Sequence, residues 1–264
     1  MTQASRKSRQ AIARALAYPY HRPPSSFLFS SGVAIPLASD HAASLSSFDR
    51  DALVPVLAVG SNAAPEQLVR KFGRSAKVRI PVTLGFITGA DIVYCAYMTR
   101  YGSVPATLIE SPGVCVAVGI TWLNSQQLTQ MHLTEARGSH TDYGCLCLDG
   151  FELSPSLRLA GRDLSAGVFI YRSRLGLLAI DQQPISLAEL PAIGRRSRAL
   201  NQQQLQRRVR RWTEYRMLCD RLSTPPELLP EVSRDFPEWV RRNVEDVGQR
   251  ARVSEVLQAR RLDQ

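Results

Sequence analysis

Gly60-Ser61-Asn62 and Glu135 are the residues whose types and settings suit chemistry. The glycine ends an apolar run, Val54-Pro55-Val56-Leu57-Ala58-Val59, and Ala63-Ala64-Pro65 follows it. This pattern predicts a strand buried on both faces, a sharp turn, and a short helix that Pro65 starts and Gly73 stops. Leu68 and Phe72, four apart, would face the core together. The N–H groups near Ser61, Asn62 and Ala63 would then be free at the positive end of a helix, forming an anion or oxyanion cradle made of backbone. The same residues also fit an ordinary strand-turn-helix with no ligand, because a glycine turn alone is a weak motif.

Glu135 closes a stretch that Asn124 or Ser125 can cap and that should be helical from Gln126 to Glu135. Leu128, Met131 and Glu135 fall at i, i+3 and i+7, on one face. The carboxylate therefore sits at the end of an apolar stripe, at the helix terminus that disfavours negative charge. Partly desolvated there, it would have a raised pKa and serve as a base near neutral pH. A glutamate in the last turn of a helix is also commonly a plain surface residue.

The elements that must hold these groups are readable in order. A short basic helix over 5–18 ends at Pro19 and Pro23-Pro24. Its Arg/Ser-rich, acid-free character is like that of a transit peptide. However, Ser26-Phe27-Leu28-Phe29 and Val33-Ala34-Ile35-Pro36-Leu37 around Ser30-Ser31-Gly32 predict a β-hairpin, and so an integral arm. Residues 38–50 read as a linker. Strands are expected from Val78 to Phe86, Ile92 to Met98, Ala106 to Ile109, Val114 to Leu123, Tyr143 to Leu148 and Ala166 to Tyr171. Ser111-Pro112-Gly113 reads as a tight turn, and Gly119 as a bulge or a close backbone approach. Helices are expected from Ser186, over Asn201–Leu222 and over Phe236–Leu262, separated by Thr224-Pro225-Pro226.

Composition bounds the function. The chain has 264 residues, 44% of them hydrophobic, which is enough for a substantial core. No apolar run of about 18 residues is present, so no membrane is expected as a partner. Five cysteines, an odd number irregularly spaced, point to a reducing, cytoplasmic setting. The net charge of +10 divides into +5 over residues 1–39, −1 over 40–194 and +6 over 195–264. The neutral middle suits a small-molecule site. The basic ends read as solvated faces, and no nucleic-acid reading motif accompanies them. His132, His140, Cys145 and Cys147 are zinc-type ligands, but their spacing matches no standard zinc pattern, and the Cys-x-Cys pair reads as strand packing. No metal is expected.

From about 54 to 174 the chain resembles the gamma-glutamylcyclotransferase-like family. Val59-Gly60-Ser61-Asn62 stands where the family has Tyr-Gly-Ser-Asn after its first strand. Gly102, Ala106-Thr107-Leu108, Ser111-Pro112-Gly113 and Val118-Gly119 look like the segments that follow. Met131-His132-Leu133-Thr134-Glu135 and Tyr143 look like the family's helix with its Glu and the later Tyr. Val59 replaces the loop tyrosine and His132 replaces a helix aspartate. The resemblance implies an α+β fold, a small mixed β-barrel with flanking helices.

It also implies a reaction. Glu135 would be general base for attack of the α-amine of a γ-glutamyl substrate on its own γ-carbonyl. The products would be 5-oxoproline and a released amine or amino acid, in a transferase or lyase reaction that uses no cofactor. Backbone N–H groups of Gly60, Ser61 and Asn62 would hold the carboxylate and the developing charge, with Val59, Ala63 and Tyr143 completing the substrate site. Tyr143 reads either as a core ring or as an orienting hydroxyl. The chain divides into a basic arm (1–50), the resembling domain (51–180) and a basic helical extension (181–264). The competing reading is a non-catalytic module that binds a ligand or partner on the same fold.

Overall fold

Two long antiparallel strands, β4 (Arg79–Tyr94) and β5 (Ala106–Leu123), form the frame. The computed structural model describes residues 10, 12–37, 48–99, 102–135, 141–159, 162–165, 167–180 and 183–209. In chain order the other elements are α1 (12–16), β1 (Phe27–Ser30), β2 (Val33–Pro36), β3 (Val54–Ala58), a 3-10 turn (Ser61–Ala63), α2 (Pro65–Phe72), α3 (Ser125–Glu135), β6 (Thr141–Leu146) and β7 (Glu152–Leu153). After a second 3-10 turn (Pro155–Leu157) come β8 (Val168–Ser173), β9 (Ala179–Ile180), β10 (Gln183–Pro184), β11 (Ser186–Leu187), β12 (Ala192–Ile193), β13 (Ala199–Leu200) and α4 (Gln202–Val209).

The architecture is mixed α+β, with one large, mostly antiparallel sheet and few helices. The main strand path is β13-β11-β4-β5-β3-β8-β6, and among the described residues β6 does not pair back to β13, so the ladder is open. One edge of β4 runs along β5. Its other edge is covered in turn by β1, β7 and β11.

The sheet separates two apolar layers, and β3 shows how. Val56 and Ala58 face a layer with Phe27, Phe29, Ala63, Leu68 and Met131, while Leu57 and Val59 face a larger layer with Tyr18, Ile120 and Trp122. This is the period-2 alternation of a strand covered on both sides.

The N-terminal hairpin forms as its sequence predicts. Ser31 and Gly32 both take positive φ, 52° and 82°, as a two-residue turn of the primed type requires. β1 then pairs with β4 from Phe27↔Val82 to Ser30↔Arg79. The arm is thereby part of the main sheet. No helix among the described residues is long and apolar enough to cross a membrane.

Three local expectations are corrected. The strands expected over 78–86 and 92–98 are one strand, because Gly89, at φ 90°, carries the chain through a register shift between Thr88 and Ala90. Ser111-Pro112-Gly113 lies inside β5, as extra chain between the pairs Ala90↔Glu110 and Thr88↔Cys115. Ser186 begins no helix: it pairs with Val93 of β4, and its hydroxyl donates to the buried Asp91 carboxylate at 2.6 Å. Strand pairing and that buried bond outweigh local helix preference. The expected helix from Asn201 is seen over Gln202–Val209; its continuation and the helix expected over 236–262 lie outside the described residues, as does the 38–47 part of the linker.

Candidate active site

The site is built where β3 ends. Gly60 and the 3-10 turn Ser61–Ala63 leave the sheet, and α2 follows with Pro65 at its first position and Gly73 (φ 80°) at its end. The turn lies close on β5 because position 119 is glycine. A Cβ there would come within 2.9 Å of Ala63 Cβ and 3.0 Å of Leu84 Cδ2. Gly119 is thus the close-approach glycine, and the bulge is elsewhere. The first N–H groups of such a turn have no intrahelical acceptor.

α3 brings Glu135 to this turn. Asn124 Oδ1 accepts from Gln127 N–H at 2.9 Å and Gln127 Oε1 accepts from Asn124 N–H at 3.0 Å, a reciprocal cap that fixes the start of the helix. Met131 is fully buried and Leu128 packs against the same layer, so the apolar stripe faces inward as its spacing predicts. At its end, Asn62 Nδ2 donates to Glu135 Oε1 at 2.9 Å. Lys71, 8% exposed on α2, donates to the same Oε1 and also lies 3.1 Å from Met131 Sδ. Both donors converge on one oxygen. Oε2 accepts no hydrogen bond among the described residues, and the Glu135 side chain is 22% exposed.

The expected raised pKa of Glu135 is corrected. Burial does push the carboxyl up, but the Lys71 ammonium and the hydrogen bonds from Lys71 and Asn62 hold it below its ordinary range. Glu135 is a carboxylate at neutral pH. Its unfavourable place at the helix end is offset by the lysine.

An aromatic wall stands beside it. Tyr143 of β6 and Tyr171 of β8 are directly opposed across the ladder, so both rings are on one face. Tyr143 stacks on Phe169 with centroids 5.3 Å apart and meets the His132 ring edge-on at 4.5 Å. The Tyr171 hydroxyl and His132 Nδ1 are 2.7 Å apart. The Tyr143 hydroxyl is buried without a hydrogen-bond partner among the described residues. Burial raises the pKa of both tyrosines and lowers that of His132, so all three are neutral at pH 7. Burial also raises the Cys95 thiol, with the Ser173 hydrogen bond opposing and the Glu135 charge adding to the shift.

The structure therefore brings Gly60, Ser61, Asn62, Tyr143 and Glu135 into one region. The side chains of two predicted site residues turn elsewhere. Val59 is in the opposite apolar layer with Tyr18, and Ala63 is fully buried against Gly119. Lys71, Tyr171 and Arg22 are additions to the predicted set. A lysine three residues after Leu68, on the apolar side of α2, was the signal for Lys71. Among the described residues no group of three His, Cys, Asp or Glu is placed to hold a metal; His140 lies outside them. A groove of about 660 Å³ between the arm and the sheet is lined by His21, Arg22, Phe86 and Glu189 among others, and does not include Glu135.

Comparison with family models, curated proteins and solved structures finds no match.

Proposed function

We propose that the chain is a gamma-glutamylcyclotransferase-like enzyme that releases 5-oxoproline from a γ-glutamyl amine or amino acid. The fold would be that family's small barrel, with the arm joined to its sheet through β1 and β4. The observation that carries the proposal is the 2.9 Å bond from Asn62 Nδ2 to Glu135 Oε1, which joins the glycine turn to the only carboxylate the resemblance assigns a role.

The chemistry follows from the free oxygen. Oε1 is held by Asn62 and Lys71, so Oε2 is the atom that takes a proton from the substrate's α-amine. The amine nitrogen then bonds to the γ-carbonyl carbon in the same molecule and closes a five-membered ring. The developing oxyanion and the α-carboxylate are served by N–H groups at Gly60, Ser61 and Asn62. As the C–N bond to the leaving amine breaks, Glu135 returns the proton to that nitrogen. Attack within one molecule needs orientation, one base and an anion cradle, and little else. Tyr143, whose hydroxyl has no hydrogen-bond partner among the described residues, is the substrate-site tyrosine that the resemblance implies.

The test is 5-oxoproline release from a panel of γ-glutamyl amino acids and amines, with Glu135→Gln alongside. Release by the wild type that the folded variant lacks supports both reaction and base. A second reading, a non-catalytic binding module, is favoured by the Lys71 ion pair, which weakens Glu135 as a base. Tight binding of a γ-glutamyl compound without turnover would support it.

A further inference from the structure

The glycine turn is held by the N-terminal arm. Arg22 Nη2 donates to Gly60 O at 2.5 Å and to Ala58 O at 3.2 Å. Tyr18, buried in the larger apolar layer, accepts from Ala106 N–H at 2.9 Å, and its hydroxyl fills the space that a Cβ on Gly60 would need. Two arm side chains thus bracket one peptide.

The direction of the bond matters. In a trans peptide the C=O and the next N–H point opposite ways. With Gly60 O fixed toward Arg22, the Ser61 N–H is aimed away from that guanidinium. The guanidinium also polarises that peptide and strengthens its donor.

Among the described residues Arg22 is in addition a cation with no carboxylate in contact. It forms no ion pair among the described residues; its Nη2 bonds go to carbonyls, and its Nε is buried with no partner. Burial lowers its pKa to about 10, so it remains a cation at neutral pH. A half-buried cation lacking an anion favours one nearby.

We propose that Arg22 is the positioning residue of the anion cradle: it fixes the Gly60 peptide so that the Ser61 N–H meets the incoming carboxylate on the opposite side of that peptide. The substrate class, a γ-glutamyl compound carrying a free α-carboxylate, rests on the functional reading above. Arg22 acts through the turn and does not take part in proton transfer.

The test uses the full chain with Arg22→Met, Arg22→Lys and Arg22→Ala. Binding of 5-oxoproline is measured by calorimetry, and KM and kcat by 5-oxoproline release. Arg22→Met should weaken binding and raise KM by at least about tenfold, with a smaller fall in kcat. Arg22→Lys should recover part of the loss. Added millimolar guanidinium should restore Arg22→Ala, since Arg22 lines the groove that would admit it. The proposal is overturned if Arg22→Met binds like the wild type. It is also overturned if the loss is recovered neither by lysine nor by guanidinium, which marks a purely structural role. If the wild type binds 5-oxoproline through Arg22 yet turns nothing over, the enzymatic reading falls and the positioning role stands. If the wild type neither binds nor turns over, both fall.

Discussion

Asn62 and Lys71 meet on the same oxygen of Glu135, one from the glycine turn and one from the helix after it. A carboxylate held by one oxygen keeps its orientation and leaves the other free. Its protonation is then set by the two donors.

Glu135→Gln should lower kcat for 5-oxoproline release by about 10²- to 10⁴-fold, the range for removing a general base. It also leaves the Lys71 ammonium buried without its partner. Stability should fall by about 1–3 kcal/mol, because the site is only partly buried. Urea denaturation alongside the kinetics separates the two effects.

Lys71→Met should raise the Glu135 pKa, since burial then acts with less opposition. The acid limb of kcat/KM against pH should move to higher pH. The folded-state pKa of Glu135 in the wild type is depressed, so the stability it contributes is present above the unfolded carboxyl pKa and is lost as pH falls through the folded value. Lys71→Met should show a smaller acid loss on this account. Unchanged profiles would show that the ion pair does not control the carboxylate.

His132 gives a second pH signature. Burial lowers its pKa from 6.5, so between that value and the folded one the unfolded chain binds a proton that the folded chain does not. Stability should decline shallowly as pH drops below about 6.5. In His132→Gln that decline should be absent, as thermal melts across pH 5–7.5 would record.

Gly60→Ala would drive a methyl group into the Tyr18 hydroxyl. It should cost about 1–3 kcal/mol, as overpacking of a filled site does. Adding Tyr18→Phe should recover part of the loss, so that the double variant is more stable than the sum of the singles implies. Additive losses would mean that the contact is relieved some other way.

What the sequence disclosed was local. Pro65 and Gly73 bounded α2, Asn124 capped α3, Ser31-Gly32 turned the hairpin, and the Leu128-Met131 spacing pointed Glu135 inward. Each depends on neighbours within a few residues, where spacing determines geometry. The other half of the site depends on pairs far apart in the chain. Lys71 and Glu135 are 64 residues apart, and Arg22 and Gly60 are 38 apart. Such contacts follow from strand order, which composition and periodicity do not specify. For the same reason the pKa of Glu135 was expected on the wrong side of its ordinary value: its helix position was legible and its pairing with Lys71 was not.

The pairing of β1 with the first residues of β4 bears on how the protein can be divided. A chain cut to begin near residue 51, the expected start of the central domain, would lose Tyr18 and Arg22. It would also leave Arg79–Val82 as an open strand edge, a template for association with other chains. A chain meant to keep the site therefore has to carry the arm as well as the residues around Gly60 and Glu135.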